Sequence, residues 1–384
     1  MKRFAAWLLI AAAVAGGAIY LRRYYREERM EAQLQVWRRT YAYVTNGQSN
    51  TVTVIELGSF RPVATVAVDK GPTGIRVHPT RDEVWLVATD AGRVDVLDIP
   101  TNRVTHRIKV GTRPYFVDLS ADGRRAYVAN SGSDSLSVID CDKHDVVATI
   151  PVGHSPGLAR VSRDGKRAVV ANRADSTISL VDAEALRVTA TVHVATHPEQ
   201  MAILPDGTKV FVAGSTTGRV SVVDLDKAAL LTHIPVGRTP TDLVLKPDGG
   251  EIFVPNFDSH TLTILNTWTN EAATTLTVGA HPNRGAILSS GALLYLTDFG
   301  ANKVIVVSVD DRQVLAAIPT GERPDTCVLS PDQRFLLVVD SGSNDVAVVR
   351  TDVQALFTLV PVGRGPRDIA VKLLGPQPAL VQKR

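Results

Sequence analysis

The feature that most constrains this chain is a unit of 42 residues that recurs along most of the sequence. A proline opens each unit and returns at constant spacing, at Pro72, Pro114, Pro156, Pro198, Pro240, Pro282, Pro324 and Pro366. A period of this size indicates a repeat architecture, in which each unit buries its apolar surface against its neighbours. One large repeat domain with short extensions therefore explains the length of 384 residues.

Each unit contains four short apolar stretches with period-two alternation, separated by residues that favour turns. The alternation is clear in Ser135-Leu136-Ser137-Val138, and a turn of the type Ser120-Ala121-Asp122-Gly123 follows the first stretch. The second stretch ends with a polar residue at Asn46, Asn130, Asn172, Asn256, Asp298 and Asp340. Because Asn and Asp side chains bond nearby backbone, we expect these residues to form turns. Four antiparallel strands in each unit predict the blades of a single all-β propeller.

The two ends of the repeat region predict how the ring closes. Before Pro72 the chain supplies only three strands, within residues 41–68, and after Pro366 it supplies only one, at residues 368–371. Together they make one composite blade, which with seven complete units gives eight blades and leaves no large open sheet edge. The alternative is a seven-bladed ring with irregular ends, in which some of these strands would lack partners.

Several second strands resemble the YVTN family of β-propeller repeats. They are Tyr43-Val44-Thr45-Asn46, Tyr127-Val128-Ala129-Asn130, Val169-Val170-Ala171-Asn172 and Phe253-Val254-Pro255-Asn256. The resemblance covers about residues 41–372. It implies an extracytoplasmic protein, in a family that includes surface-layer and scaffold proteins. More distant relatives of the same shape are lactonases, lyases and electron-transfer subunits, so the fold alone does not define the function.

The N-terminal residues predict a membrane anchor. After Lys2 and Arg3 the chain is apolar over residues 4–21, which gives about 27 Å of helix, close to the ~30 Å hydrocarbon core of a bilayer. The alternative is a cleaved signal peptide, because Ala13-Val14-Ala15 resembles a cleavage site. We therefore divide the chain into a transmembrane anchor (1–21), a helical stalk (22–40), the propeller (41–372) and a tail (373–384).

The orientation of this single-pass anchor is predicted from the resemblance. Basic residues flank both of its ends, namely Lys2 and Arg3 on one side and Arg22, Arg23, Arg26 and Arg29 on the other. Counted alone, they favour a cytoplasmic propeller under the positive-inside rule. The resemblance instead implies a periplasmic or extracellular propeller at the cell membrane, which is the orientation we predict.

Charge and cysteine content exclude two classes of function. Residues 1–40 carry a net charge of +5 and the remainder carries −2, so the propeller has no electrostatic footprint for nucleic acid. Cys141 and Cys327 fall in different blades, so we expect no disulfide between them. The sequence contains no C-x-x-C-H stretch, which excludes a covalently attached c-type haem.

The candidate binding site is the face of the propeller that carries the G-x-x-P loops, which lead from each fourth strand to the next proline. Because strands alternate in direction, this G-x-x-P face also carries the loops between second and third strands. Its side chains differ from blade to blade although the scaffold repeats, as expected for a binding surface on a rigid frame. The candidate residues are Arg113, Tyr115, His154, His197, Glu199, His281, Arg284, Arg323, Asp325 and Arg367.

Charged residues on the inner strands, which line the central channel, allow two interpretations. These residues are Arg76, Asp118, Arg160, Asp242, Arg284 and Asp368. Either they form a polar channel mouth that binds a small anion, a peptide or a partner loop, or they pair with one another across neighbouring blades.

No catalytic or metal-binding constellation emerges from the sequence. His197 and His281 occupy equivalent positions two blades apart and cannot share one ion, and His154 with His197 lacks a third ligand. We therefore predict no cofactor, and a non-enzymatic scaffold that binds a protein or an extended ligand on the G-x-x-P face. The alternatives are a metal-dependent enzyme of the lactonase or lyase type, and a subunit of a periplasmic electron-transfer complex.

Overall fold

In a computed structural model that describes residues 39–374, the chain forms eight four-stranded antiparallel sheets. The inner strands of successive sheets contact one another in chain order, so the sheets are the blades of a ring. The prediction of an all-β propeller with eight blades is confirmed.

Seven blades are continuous in sequence, and the eighth, the closing blade, combines the two ends of the described chain. Blade 1 contains β4 (Pro72–Val77), β5 (Glu83–Ala88), β6 (Arg93–Asp98) and β7 (Arg103–Lys109). Blade 2 contains β8 (Pro114–Leu119), β9 (Arg125–Asn130), β10 (Ser135–Asp140) and β11 (Asp145–Pro151). Blade 3 contains β12 (Pro156–Val161), β13 (Arg167–Asn172), β14 (Thr177–Asp182) and β15 (Arg187–His193). Blade 4 contains β16 (Pro198–Ile203), β17 (Lys209–Gly214), β18 (Arg219–Asp224) and β19 (Ala229–Pro235).

The remaining blades follow the same order of strands. Blade 5 contains β20 (Val244–Leu245), β21 (Glu251–Asn256), β22 (Thr261–Asn266) and β23 (Glu271–Thr277). Blade 6 contains β24 (Pro282–Ile287), β25 (Leu293–Asp298), β26 (Lys303–Ser308) and β27 (Gln313–Pro319). Blade 7 contains β28 (Pro324–Leu329), β29 (Phe335–Asp340), β30 (Asp345–Arg350) and β31 (Ala355–Pro361). The closing blade contains β1 (Thr40–Asn46), β2 (Thr51–Glu56), β3 (Arg61–Ala67) and β32 (Pro366–Leu373). Short 3-10 turns follow the second strands of blade 1, at Thr89–Ala91, and of blade 5, at Phe257–Ser259.

The closing blade has the composite construction that the sequence predicts. Its strand order is β3-β2-β1-β32, and β1 pairs antiparallel with β32 so that Val44 lies opposite Ile369. The pairing extends slightly beyond the predicted limits of 41–372, because the Leu374 N–H donates to the Arg39 carbonyl at 2.9 Å. The described chain therefore begins and ends in one sheet.

The predicted anchor (1–21), nearly all of the predicted stalk (22–40) and most of the tail (373–384) lie outside the described residues. Within residues 39–374, no helix combines the length and the apolar character needed to cross a bilayer.

The hydrophobic core lies between blades rather than within them. One cluster joins Tyr43 and Val54 of the closing blade to Ile75 and Leu86 of blade 1, and all four side chains are fully buried. Each alternating strand presents apolar residues to both of its neighbouring blades, so burial is complete only when the ring is closed.

Blade 5 departs from the repeat at its inner strand, because β20 is only two residues long. The cause is Pro255 on the neighbouring strand β21. Its carbonyl accepts the Thr241 N–H at 3.0 Å, so its nitrogen faces the same strand, where it has no hydrogen to donate. As a result, the part of the inner strand that precedes β20 pairs with β21 only through an isolated bridge between Pro240 and Asn256.

The asparagines at the ends of second strands act differently from the prediction that they form turns. Each lies in extended backbone and joins its strand to the third strand through its side-chain amide. Asn130 Nδ2 donates to Ser135 Oγ at 3.2 Å and to Ser137 Oγ at 2.9 Å. Asn46, Asn172 and Asn256 make the same pair of bonds. The residue is thus a buried cross-strand donor rather than a turn former.

Blade 7 has Asp340 in place of this asparagine, and Asp345 in place of the first hydroxyl. Asp340 is fully buried and one of its carboxyl oxygens accepts the Gly321 N–H at 3.0 Å. Burial, together with the neighbouring Asp345, raises the pKa of Asp340 well above its usual value. Asp340 therefore holds a proton at pH values at which an exposed aspartate has lost it.

Ring closure can be tested on β32. Ile369 is 4% exposed and packs with Val44 and Val339, whereas Leu373 on the same strand is 40% exposed. We expect Ile369→Ala to lower the free energy of unfolding by about 2–5 kcal/mol, because it leaves a cavity in the closing blade. We expect Leu373→Ala to change it by less than about 0.5 kcal/mol. Urea unfolding measures both, and equal effects would contradict the buried closure.

A second prediction concerns Asp340. Because its folded-state pKa is raised, the folded protein keeps a proton that the unfolded chain releases above about pH 4, so stability falls as pH rises from there through neutrality. In Asp340→Asn the side-chain amide donates a hydrogen bond to Asp345, so the variant does not lose this stability as the pH rises. We expect the variant to be more stable than the wild type by about 1–3 kcal/mol at pH 8, with a smaller difference at pH 5.

The matched control for Asp340 is Asp298→Asn in blade 6. The Asp298 carboxylate accepts the N–H groups of Ala280 and His281, each at 2.8 Å, so an amide there gains nothing. Thermal unfolding at both pH values compares the variants. A gain in Asp298→Asn equal to that in Asp340→Asn would refute the role of the acid pair.

Candidate functional site

The G-x-x-P loops and the loops between second and third strands lie on one face, as the strand directions predict. In every blade of residues 39–374, the first residue after the second strand donates its N–H to the carbonyl of the residue before the proline. Examples are Ser131 to Arg113 at 3.2 Å and Ser215 to His197 at 3.2 Å. The two sets of loops are therefore joined into a single continuous surface around the channel mouth.

Blade 6 has a different G-x-x-P loop. In the other seven blades the residue before the proline has a left-handed backbone, for example Arg113 with φ of 49°. In blade 6 the left-handed residue is Gly279 instead of His281, and the N–H of His281 turns toward Asp298. The loop that carries His281 therefore has a different backbone conformation from the equivalent loops of the other blades.

The six charged channel residues that the sequence singles out form three ion pairs between neighbouring blades. Arg76 lies 3.3 Å from Asp368, Arg160 lies 3.7 Å from Asp118, and Arg284 lies 3.8 Å from Asp242. In each pair the aspartate belongs to the preceding blade around the ring. Each of these aspartates also accepts a backbone N–H from the next inner strand, those of Ile75, Val161 and Gly285. The geometry supports the interpretation that these charges tie neighbouring blades together.

An aromatic ring separates two of the channel arginines. The guanidinium carbons of Arg76 and Arg160 lie 4.1 Å and 4.8 Å from the centre of the Phe116 ring. Burial lowers the pKa of Arg160 from its usual value, while the neighbouring Asp118 opposes that shift. Burial also acts on Arg284, but Asp242 and Asp325 outweigh it and raise its pKa. The arginines therefore remain cationic within a channel that already contains their counter-ions.

A groove of about 720 Å³ opens on the G-x-x-P face beside Arg284, where blades 4 and 5 meet. The residues that line it are Glu199, Ser215, Thr216, Thr217, Gly218, Val236, Arg238, Thr239, Pro240, Thr241, Asp258, Asn283 and Arg284. Arg238 and Arg284 contribute positive charge, and Glu199 and Asp258 contribute negative charge. Most of the other side chains are hydroxyls, so the groove presents donors and acceptors of both signs to a ligand.

The three candidate histidines lie apart, and each has one ring nitrogen beside an oxygen. His197 Nδ1 lies 3.1 Å from Glu199 Oε1, His154 Nδ1 lies 2.9 Å from Asp175, and His281 Nδ1 lies 3.1 Å from the Phe257 carbonyl. The bond to Asp175 raises the pKa of His154. Among residues 39–374 no three His, Cys, Asp or Glu side chains are grouped so that they could hold a metal ion.

The other candidate residues are distributed around the face. Tyr115 is exposed on the rim of blade 2, with the Arg173 guanidinium 5.2 Å above its ring, and Arg113 and Arg323 are exposed in their loops. Asp325 accepts an N–H of Asn283 at 2.8 Å, and burial raises its pKa despite the opposing charge of Arg284. Arg367 lies against Gly47, where a β-carbon would come within 3.2 Å of its side chain. Only Glu199 and Arg284 of the ten line the groove.

Four residues of this surface are not among the residues predicted from the sequence. Arg238 and Asp258 line the groove, and Phe257 and Phe299 line a second cavity next to it. The two phenylalanines occupy equivalent positions in blades 5 and 6. Comparison of equivalent positions across all eight blades would have singled them out.

Fold and site together define an eight-bladed propeller with a polar groove on its G-x-x-P face. The chain belongs to the cytochrome D1 heme domain family, whose model matches residues 86–289, just over half of its length. It is also similar to the uncharacterized protein YncE of Salmonella typhi and of Salmonella typhimurium, with 31% identity over 90 residues. That match spans 23% of this chain and 25% of each relative. The predicted resemblance to propeller repeat proteins is thereby confirmed.

Two solved structures show the same fold. A hydrazine synthase chain of Kuenenia stuttgartiensis has a TM-score of 0.61 and 24% identity, and covers 73% of this chain and 96% of its own. The dihydro-heme d1 dehydrogenase NirN has a TM-score of 0.74 and 14% identity, over 86% of this chain and 74% of its own. At these identities the similarity extends to the fold and not to the chemistry.

The residues that line the groove do not fit a haem group, which the family description implies. A haem needs an axial donor, cations for its carboxylates and apolar walls along its ring. Arg284 would supply a cation, but no histidine is among the residues that line the groove, and its walls are mostly hydroxyls such as Ser215 and Thr216.

Proposed function

We propose that this protein is a non-catalytic binding propeller that holds an extended segment of a partner polypeptide in the groove beside Arg284. The observation that carries the proposal is the composition of that groove. It offers two cations, two carboxylates and a row of hydroxyls within about 720 Å³, which suits the alternating donors and acceptors of an extended backbone. A single small anion would need an excess of positive charge, which the groove lacks.

The orientation of the ring supports an exposed binding face. First strands run away from the G-x-x-P face and second strands run toward it, so Arg39 and Leu374 both leave the propeller on the opposite face. If residues 1–21 anchor the chain in the cell membrane, as their sequence predicts, the groove points away from the bilayer. We therefore include in the proposal a membrane-anchored propeller outside the cytoplasm, with its partner bound on the distal face.

The second candidate function is an electron-transfer subunit, which membership of the cytochrome D1 heme domain family favours. The residues that line the groove do not supply apolar walls for a haem. Absorbance of the purified full-length protein separates the two functions. A Soret band at one haem per chain would favour electron transfer and overturn the binding scaffold. A metal ion bound at one per chain would likewise favour the lactonase or lyase alternative.

The binding scaffold is tested by capture from solubilised membranes with the full-length protein as bait. The test variant is Glu199→Thr with Arg238→Thr, which keeps the net charge and places residues that other blades have at these positions, such as Thr73 and Thr112. We expect at least about tenfold less of the captured partner, because the groove loses one charged contact of each sign.

The matched control is Lys227→Thr, which removes a charge from a turn on the opposite face, where Thr101 and Thr269 are equivalent. We expect this variant to capture the partner as the wild type does, and all variants to unfold at the wild-type temperature. Undiminished capture by the Glu199→Thr, Arg238→Thr protein would remove the groove from consideration.

A further inference from the structure

An aromatic cluster interrupts the repeat at two neighbouring blades. The residue directly after the second strand is small or polar in six blades, namely Gly47, Thr89, Ser131, Arg173, Ser215 and Ser341. In blades 5 and 6 it is Phe257 and Phe299. Neither ring belongs to the apolar clusters between blades, so packing of the propeller does not account for them.

These two phenylalanines enclose a cavity together with His281. Phe257 stacks on His281 with ring centres 4.5 Å apart and a 27° angle, and it lies 5.9 Å from Phe299 at 52°. The cavity measures about 460 Å³, and its rim carries Asn302, Glu322 and Arg323. The rings are half-buried, so they keep accessible surface on this face.

The surrounding backbone fixes the cluster in this arrangement. Phe257 begins a short 3-10 turn, and its carbonyl accepts the His281 Nδ1–H at 3.1 Å, which leaves Nε2 as a hydrogen-bond acceptor. The Asp298 carboxylate holds the N–H groups of Ala280 and His281 in the shifted loop of blade 6. The histidine is therefore oriented by two backbone contacts before any ligand arrives.

We propose that this aromatic cavity is the anchor pocket for a tyrosine or tryptophan side chain of the partner segment, an inference that rests on the proposed function. Aromatic walls favour a ring, and the rim groups Arg323, Asn302 and Glu322 favour a ring with a polar tip. The pocket and the groove adjoin, because Phe257 lines one and Asp258 lines the other. A segment extended along the groove therefore places one side chain over Phe257.

The test uses N-acetyl-tyrosinamide as the probe and N-acetyl-leucinamide as its aliphatic counterpart, measured by ligand-observed NMR with the full-length protein. The variant is Phe257→Ser with Phe299→Ser, which restores the serine found at Ser131, Ser215 and Ser341 and is expected to fold. The control is Trp268→Asp, which removes an exposed aromatic side chain from the opposite face, where Asp142 and Asp226 are equivalent.

We expect the tyrosine probe to bind more tightly than the leucine probe, and to lose at least about fivefold in affinity in the double variant, the scale of one aromatic contact. Trp268→Asp should bind it unchanged. Equal binding of both probes, no detectable binding of the tyrosine probe, or full binding by the double variant would overturn the pocket.

Partner capture separates failure of the pocket from failure of the groove. If capture depends on Glu199 and Arg238 but persists in the double phenylalanine variant, the anchor pocket is wrong and the binding scaffold stands. If the amount of captured partner is unchanged in all of these variants, the proposed function itself fails. Loss of capture in both sets of variants supports the pocket.

Discussion

The pairing of β1 with β32 is the interaction on which the rest of the structure depends. It joins residues more than three hundred positions apart in sequence, such as Val44 and Ile369, so the chain loses its loop-closure entropy before this pairing contributes any stability. The apolar clusters on both sides of the closing blade are complete only once these strands meet. A closed ring of antiparallel blades has no free inner edge, and this rigidity lets loops on its face hold side chains in fixed positions.

The channel shows how such a ring accommodates charge. A buried ion is costly unless it is paired and hydrogen-bonded, and each aspartate of the three channel ion pairs meets both conditions through the next blade. Asp242, for example, faces Arg284 and accepts the Gly285 N–H at 3.1 Å. The channel arginines are thus already neutralised by neighbouring carboxylates, which makes the channel interior a poor anion site. Binding is more readily supported at the rim, where Arg238 projects from a loop and Glu199 from the start of an inner strand, both held in place by the ring.

Most of the fold could be predicted from the sequence because the proline period fixes both the blade and the closure. The sequence identifies six charged channel residues but does not show how they pair. A linear sequence does not reveal that each of these aspartate side chains reaches the next blade. The role of the asparagines was misjudged because a buried side-chain donor and a turn former favour the same residue type. Side-chain contacts between blades could not be predicted from the sequence either. His106 and His144, on different blades, stack with ring centres 3.8 Å apart, and no local sequence pattern connects them.

The repeat offers an internal standard against which the binding face can be judged. Seven G-x-x-P loops have a left-handed residue directly before the proline, and the exception, in blade 6, adjoins the two phenylalanines and the blade that Pro255 weakens. A proline that removes a ladder bond is unfavourable for folding, and half-buried phenylalanines in loops add little to the core. These departures occur together in blades 5 and 6, next to the groove. A nearly symmetric ring has no preferred direction on its face; this sector breaks the symmetry, because an aromatic cavity and a polar groove adjoin here.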